Sequence, residues 1–180
     1  KSQGKLNGNT VVTTVMSNMG LYKAFESEDI NYEQTAVGDK YVAENMLENN
    51  YSIGGEQSGH VIFSRYAATG DGILTSLMIM EACVEQKATL CDLAKEMKVY
   101  PQILRNVRVA DKKTARENPK VVEAVEAAAR ALSTEGRILV RESGTEPLIR
   151  VMVEAGTEEI CAEHVNNVVR VMEEEGLVVE

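Results

Sequence analysis

Two short loops hold the residue types that can do chemistry. The first is Gly54-Gly55-Glu56-Gln57-Ser58-Gly59-His60, in which a carboxylate, an amide, a hydroxyl and an imidazole stand between glycines. Glycine lets a backbone approach a ligand closely. A carboxylate accepts from two adjacent hydroxyls at once, which suits a vicinal diol on a sugar ring. A tight turn with a solvated Glu56 accounts for the same residues, and His60 gains interest only through its alternation with Ser58 and Glu56. The second loop lies in Arg137-Ile138-Leu139-Val140-Arg141-Glu142-Ser143-Gly144-Thr145-Glu146-Pro147-Leu148-Ile149-Arg150. Guanidinium forks at Arg141 and Arg150, hydroxyls at Ser143 and Thr145 and backbone N–H groups around Gly144 make a phosphate nest if they face one concavity. The alternative is a plain hairpin whose arginines pair with Glu142 and Glu146.

Two further junctions are weaker. Val37-Gly38-Asp39-Lys40 places a glycine and a charged pair where a strand passes into a helix, a common ligand position in α/β sheets, although Asp39 also serves as a simple helix cap. Thr69-Gly70-Asp71-Gly72 reads as a turn with Asp71 capping the next helix. No His, Cys, Asp or Glu cluster has metal-ligand spacing.

The elements that must position these loops alternate in type. Strands are expected at residues 9–16, 32–37, 52–54 and 61–63, and helices at 21–28, 38–49, 73–86 and from Thr89 to about Met97. Residues 73–86 are apolar on nearly every face, which predicts a helix buried between layers. This order predicts a three-layer α/β/α domain. The pattern breaks at residues 98–106, around Pro101, where a boundary and linker are expected. Beyond it come a strand at 107–110, a helix at 119–133, strands at 137–141 and 148–154 and a helix at 158–175. Asn118 and Pro119 suit a helix start, and Gly136 and Gly176 suit helix ends. The β-α-β-β-α order predicts an α+β domain with an open split β-α-β sheet and helices on one face. The domains are therefore drawn at 1–100 and 101–180. RNA-recognition domains share the second arrangement but need aromatics on the central strands, and the strands at 137–141 and 148–154 have none.

Composition narrows the function further. The 180 residues are 44% hydrophobic and 26% charged, with 19 Lys and Arg against 28 Asp and Glu for a net charge of −9. The acidic excess is spread along the chain, so no basic stripe offers a nucleic-acid footprint. An anionic ligand needs locally placed arginines, because the overall field repels it. Cys83, Cys91 and Cys161 lack CxxC spacing and are expected to be buried free thiols in a reducing compartment. No apolar run approaches the roughly 20 residues a membrane span requires, and a cytoplasmic location is expected. The absence of an initial Met fits a piece of a longer protein.

On these motifs the chain resembles the α-D-phosphohexomutase superfamily, and within it the bacterial phosphoglucosamine mutases. Gly55 to His60 is similar to the family's sugar-binding loop in its third domain, with Gln57 where phosphomannomutase/phosphoglucomutase relatives usually have Met. Arg141 to Pro147 with Arg150 resembles the fourth-domain phosphate loop. Residues 10–20, 37–42 and 69–73 also match. The resemblance implies an isomerase that interconverts glucosamine 6-phosphate and glucosamine 1-phosphate through a phosphoserine and a bisphosphate intermediate, on the route to cell-wall precursors. Under it Gly38, Asp39, Glu56 and Ser58 bind the sugar, and His60 is a second contact and proton-transfer group. Arg141, Ser143, Gly144, Thr145 and Arg150 grip the phosphate. It further implies Mg2+ for the full-length enzyme, with ligands outside this chain, and a partner in the missing N-terminal domains, of which residues 1–8 are a tail. The family's Ser-His-Asn and Asp-Gly-Asp loops do not occur here, so the resemblance implies a chain that binds a phosphorylated amino sugar without turning it over. A phosphomannomutase/phosphoglucomutase half and a free-standing phosphosugar-binding module are the alternatives.

Overall fold

The computed structural model describes residues 1–179 and divides into two units, one of Lys1–Val99 and one from Tyr100 onward. The first unit runs β1 (Thr10–Thr14), α1 (Met19–Ser27), β2 (Asn31–Thr35), α2 (Asp39–Asn49), β3 (Ile53–Gly55), β4 (Val61–Phe63), α3 (Gly72–Gln86) and α4 (Leu90–Ala94). Its sheet order is β2-β1-β3-β4, with β1 parallel to both β2 and β3 and β4 antiparallel to β3. Strand side chains alternate between faces. Val12 therefore packs with Val42 and Met46 of α2 on one face. Thr13 points the other way, where Tyr22 of α1 donates to the Thr14 carbonyl at 2.7 Å. Helices on both faces make three layers.

Helix α3 departs from its sequence reading. It is not buried between layers: Ile73 and Val84 are 77% and 76% exposed, and Leu77 and Met80 are also exposed. Among the described residues its main neighbouring elements are β4 and α4, so an all-round apolar sequence does not find cover on all sides. Asp71 does cap it, accepting from the Ile73 and Leu74 N–H groups at 2.9 Å each. The cysteine expectation fails in part for the same reason. Cys161 is buried, Cys83 is intermediate and Cys91, on the short exposed α4, is open to solvent, all three being free thiols.

The second unit runs β5 (Gln102–Arg108), α5 (Lys112–Glu117), α6 (Pro119–Leu132), β6 (Arg137–Glu142), β7 (Leu148–Glu154) and α7 (Glu158–Glu174). The sheet order is β5-β7-β6, with β7 antiparallel to both neighbours. Strands β5 and β6 thus point the same way with β7 inserted between them, the split β-α-β arrangement. Ile149, Val151 and Val153 alternate along β7 onto one face. There they meet Val121, Ala124 and Leu132 of α6 and Cys161, Val165, Val168 and Met172 of α7, spaced as a helical stripe. Each fully buried Val contributes about 1.5–3 kcal/mol. The expected linker at 98–106 is instead largely strand: β5 begins at Gln102, directly after Pro101, which only caps the strand's start. The helix end at Gly136 is also corrected. Ser133 ends α6 at φ +48°, while a Cβ on Gly136 would lie 2.6 Å from the Glu154 carbonyl oxygen.

Candidate functional site

In the first unit β3 and β4 form a hairpin, and its connecting turn gathers three of the expected residues. The Glu56 N–H donates to the His60 carbonyl at 3.0 Å and closes the turn. Ser58 Oγ donates to Glu56 Oε1 at 2.6 Å and lies 2.9 Å from His60 Nδ1, which is itself 3.2 Å from Glu56 Oε1. Gly38 joins them through its N–H, which donates to Glu56 Oε2 at 3.2 Å. Gly38 has φ +133°, a backbone that L side chains rarely adopt, and it is the N-cap of α2. Asp39 does not cap that helix; it is the first helical residue, and among the described residues it has no side-chain hydrogen bond to the other four.

The Glu56 side chain is 10% exposed, against 55% for His60. The Ser58 hydroxyl first, then His60 and the Gly38 N–H, hold the Glu56 carboxyl below its ordinary value of 4.5. These donors stabilise the anion and outweigh burial. A fixed carboxylate with an exposed hydroxyl and imidazole beside it can accept from, and donate to, neighbouring ring hydroxyls of a sugar.

In the second unit Arg141 on β6 and Arg150 on β7 stand directly opposite each other. They lie on the sheet face away from α6 and α7, because Val140 and Ile149 beside them point into the core. Arg150 reaches Glu146 at 3.3 Å. Glu142 is taken by Arg116 at 3.1 Å, so among the described residues Arg141 has no carboxylate partner. The Nε atoms of both Arg141 and Arg150 are buried without a hydrogen bond. Burial first, and then Arg150, push the Arg141 guanidinium below its usual range. The plain hairpin reading, with both arginines neutralised by Glu142 and Glu146, is therefore met only at Arg150.

The turn between β6 and β7 is built by Ser143, which is 1% exposed. Its N–H donates to Leu148 O at 2.9 Å, and its hydroxyl accepts from the Glu146 N–H at 3.3 Å. Gly144 and Thr145 are exposed at the tip. Ser143 thus shapes the loop, while Gly144 and Thr145 form its exposed tip. Lys112 stands in no motif of the sequence, yet its ammonium donates to the Ser143 carbonyl at 2.8 Å. It belongs to α5, six residues long and too short to show a helical period. Only the Asp111 cap, which accepts from Thr114 N–H at 2.6 Å, marked that helix in the sequence.

No group of three or more His, Cys, Asp or Glu side chains that can hold a metal occurs among the described residues. The residues present do not fit a magnesium site: Asp71, in the one Asp-Gly pair, spends its carboxylate on the α3 N-terminus. No helix among the described residues is long and apolar enough to cross a membrane.

An α/β/α unit with a carboxylate-bearing hairpin turn, followed by a split β-α-β unit with an arginine-flanked turn, is the architecture of a phosphohexomutase's last two domains. The chain belongs to the phosphoglucomutase/phosphomannomutase family: residues 1–100 match its alpha/beta/alpha domain III and residues 104–171 its C-terminal domain. It is 59% identical over 179 residues to the phosphoglucosamine mutase of Lachnospira eligens, covering 99% of this chain and 40% of that protein. The phosphoglucosamine mutase of Bacillus subtilis is 52% identical over 175 residues, 97% of this chain and 39% of its own length. The chain thus spans about two fifths of the curated relatives it matches. Among solved structures, Aspergillus fumigatus N-acetylphosphoglucosamine mutase in complex with GlcNAc-6P and magnesium shares the fold, with a TM-score of 0.77 at 18% identity over 96% of this chain and 40% of that one.

Proposed function

We propose that this chain is the sugar-reading and phosphate-gripping part of a phosphoglucosamine mutase, a cytoplasmic enzyme interconverting glucosamine 6-phosphate and glucosamine 1-phosphate. The observation that carries the reading is the Arg141–Arg150 pair, two guanidinium groups on one face with buried, unpaired Nε atoms, on the strands that flank the exposed Gly144-Thr145 tip. An anion there supplies the missing acceptors. Arg141, Gly144, Thr145 and Arg150 hold the phosphate that does not react, and Ser143 shapes the loop around it. Glu56, with Gly38 behind it, accepts from ring hydroxyls, Ser58, whose proton lies on Glu56, adds an acceptor, and His60 moves a proton at the sugar end. Asp39 contributes charge at the start of α2.

Phosphoryl transfer depends chiefly on positioning and charge stabilisation, and these residues supply the positioning. The phosphoserine, the bisphosphate intermediate and Mg2+ are what the family resemblance implies for the longer protein. On this reading the chain alone binds without turnover. The identity to phosphoglucosamine mutases, at 59% and 52% for the two relatives above, supports that branch over a phosphomannomutase/phosphoglucomutase half. The test is a titration of Arg141→Ala with glucosamine 6-phosphate and with unphosphorylated glucosamine. The phosphorylated ligand should lose affinity and the neutral one should not. Equal losses for both ligands, or conversion of glucosamine 6-phosphate by the pure chain, would overturn the reading.

A further inference from the structure

We infer that Lys112 is a positioning residue for the β6–β7 turn: it sets the direction in which the Gly144 amide points and so prepares that turn for phosphate. The inference rests on the phosphate-gripping role proposed above and adds a residue to it. The geometry is local. Lys112 Nζ donates to the Ser143 carbonyl at 2.8 Å in a partly buried setting. The Ser143 carbonyl and the Gly144 N–H belong to one peptide plane and, in a trans peptide, point in opposite directions. Holding the carbonyl toward α5 therefore turns the Gly144 N–H away from it.

Helix α5 lies on the covered side of the sheet, since Ala115 is fully buried in the same core as Val151 and Val153. The Gly144 N–H is accordingly aimed toward the opposite side, the one that carries Arg141 and Arg150. Among the described residues no hydrogen bond restrains this peptide from the glycine side. A Cβ at Gly144 would meet no atom within 4 Å, and glycine tolerates either orientation of the flanking plane. The rest of the turn is pinned by other groups, through Ser143 N–H to Leu148 O and Glu146 N–H to Ser143 Oγ. Among the described residues the Ser143–Gly144 plane has Lys112 alone. Arg116, one turn further along α5, ties the same helix to Glu142 at 3.1 Å. The short helix thus holds the loop at two successive residues, one by side chain and one by backbone.

The test follows the amide signals of the 180-residue chain by NMR during titration with inorganic phosphate, for the unsubstituted protein, Lys112→Met, Lys112→Gln and Lys112→Arg. Met keeps the apolar stem and removes the donor. The expected result is a saturable phosphate-induced shift of Gly144 in the unsubstituted chain. Lys112→Met should weaken phosphate binding about tenfold, the scale of one hydrogen bond to a charged group, and Gly144 should lose its shift. Lys112→Gln, a neutral donor, should fall between, and Lys112→Arg should restore both readouts. Thermal midpoints without phosphate should barely move.

Retention of the Gly144 shift and of phosphate affinity in Lys112→Met would overturn the positioning role and leave the clamp intact. A loss that disappears in about 1 M NaCl, where the screening length is near 3 Å, would reduce Lys112 to a bulk charge and also overturn it. If the unsubstituted chain binds no phosphate, the clamp reading falls first and this inference with it.

Discussion

Arg141 and Arg150 face each other across the β6–β7 ladder with like charges and, among the described residues, no carboxylate on Arg141. Directly opposed like charges destabilise a sheet by about 0.2–1 kcal/mol, and the partial exposure of both side chains places this pair toward the lower end. A structural pair selected for stability alone would carry opposite signs. The arrangement therefore makes sense as a site that holds charge in readiness for an anion.

Arg141→Met should accordingly leave the ligand-free second unit as stable as before, or slightly more so. The same substitution should remove stabilisation by phosphate, which for a site at 100 times its Kd is about 2.7 kcal/mol. Thermal melts with and without phosphate separate the two effects. A large loss of stability in the absence of phosphate would mean that the arginine is structural.

Gly54 lies where β3 crosses α2, and a Cβ there would sit 2.6 Å from Met46 Sδ, 2.7 Å from Val42 Cγ1 and 3.0 Å from the Val12 carbonyl oxygen. Gly54→Ala should cost the first unit about 1–3 kcal/mol through overpacking. The Gly59→Ala comparison isolates a different cause, since Gly59 has open space around it but φ +100°. Chemical denaturation of both variants checks this. A neutral Gly54→Ala would show that α2 shifts away from the sheet at little cost.

Much of this was legible in the sequence because it is local. Asn118 before Pro119, Thr89 three residues before Asp92, and Asp71 before an apolar run each cap a helix as their types require. The two loops were legible because Gly, Ser and charged residues cluster there within a few positions of one another. What failed depended on distant partners. The burial of α3 required a covering layer that periodicity does not reveal. The contact of Lys112 depends on α5 lying beside a carbonyl 31 positions along the chain. The fate of Glu142, paired to Arg116 rather than Arg141, was hidden for the same reason.

Asn118 joins two helices of the second unit. Its Oδ1 accepts from the Lys120 and Val121 N–H groups at 2.9 and 3.3 Å, and its Nδ2 donates to Glu175 at 3.3 Å. Asn118→Ala should cost about 1 kcal/mol, the usual value of an N-cap, and Asn118→Asp should keep the cap but lose the donor to Glu175. Thermal unfolding of the two variants should therefore rank them with Asp above Ala. The reverse order would place the energetic weight on Glu175 rather than on the helix start.

The carboxylate of Glu56 yields a prediction in pH as well as in affinity. Its folded pKa is depressed below 4.5, chiefly by the Ser58 hydroxyl and then by His60 and the Gly38 N–H. A depressed carboxyl pKa contributes stability above the unfolded value, and that contribution is lost as pH falls through the folded value. Glu56→Gln removes the ionisation, so the stability gap between the unsubstituted chain and the variant should be widest near neutral pH. It should close progressively below about pH 4.5. Thermal midpoints measured from pH 7 down to pH 3 test this, and a gap that stays constant would mean that the hydrogen bonds favour no particular charge state. The same variant tests the sugar-binding role. Replacing a charged acceptor by a neutral one should weaken binding by about 1.5–3 kcal/mol, and the loss should be equal for glucosamine and glucosamine 6-phosphate, because Glu56 would contact the ring and not the phosphate. A loss confined to the phosphorylated ligand would move Glu56 out of the sugar site.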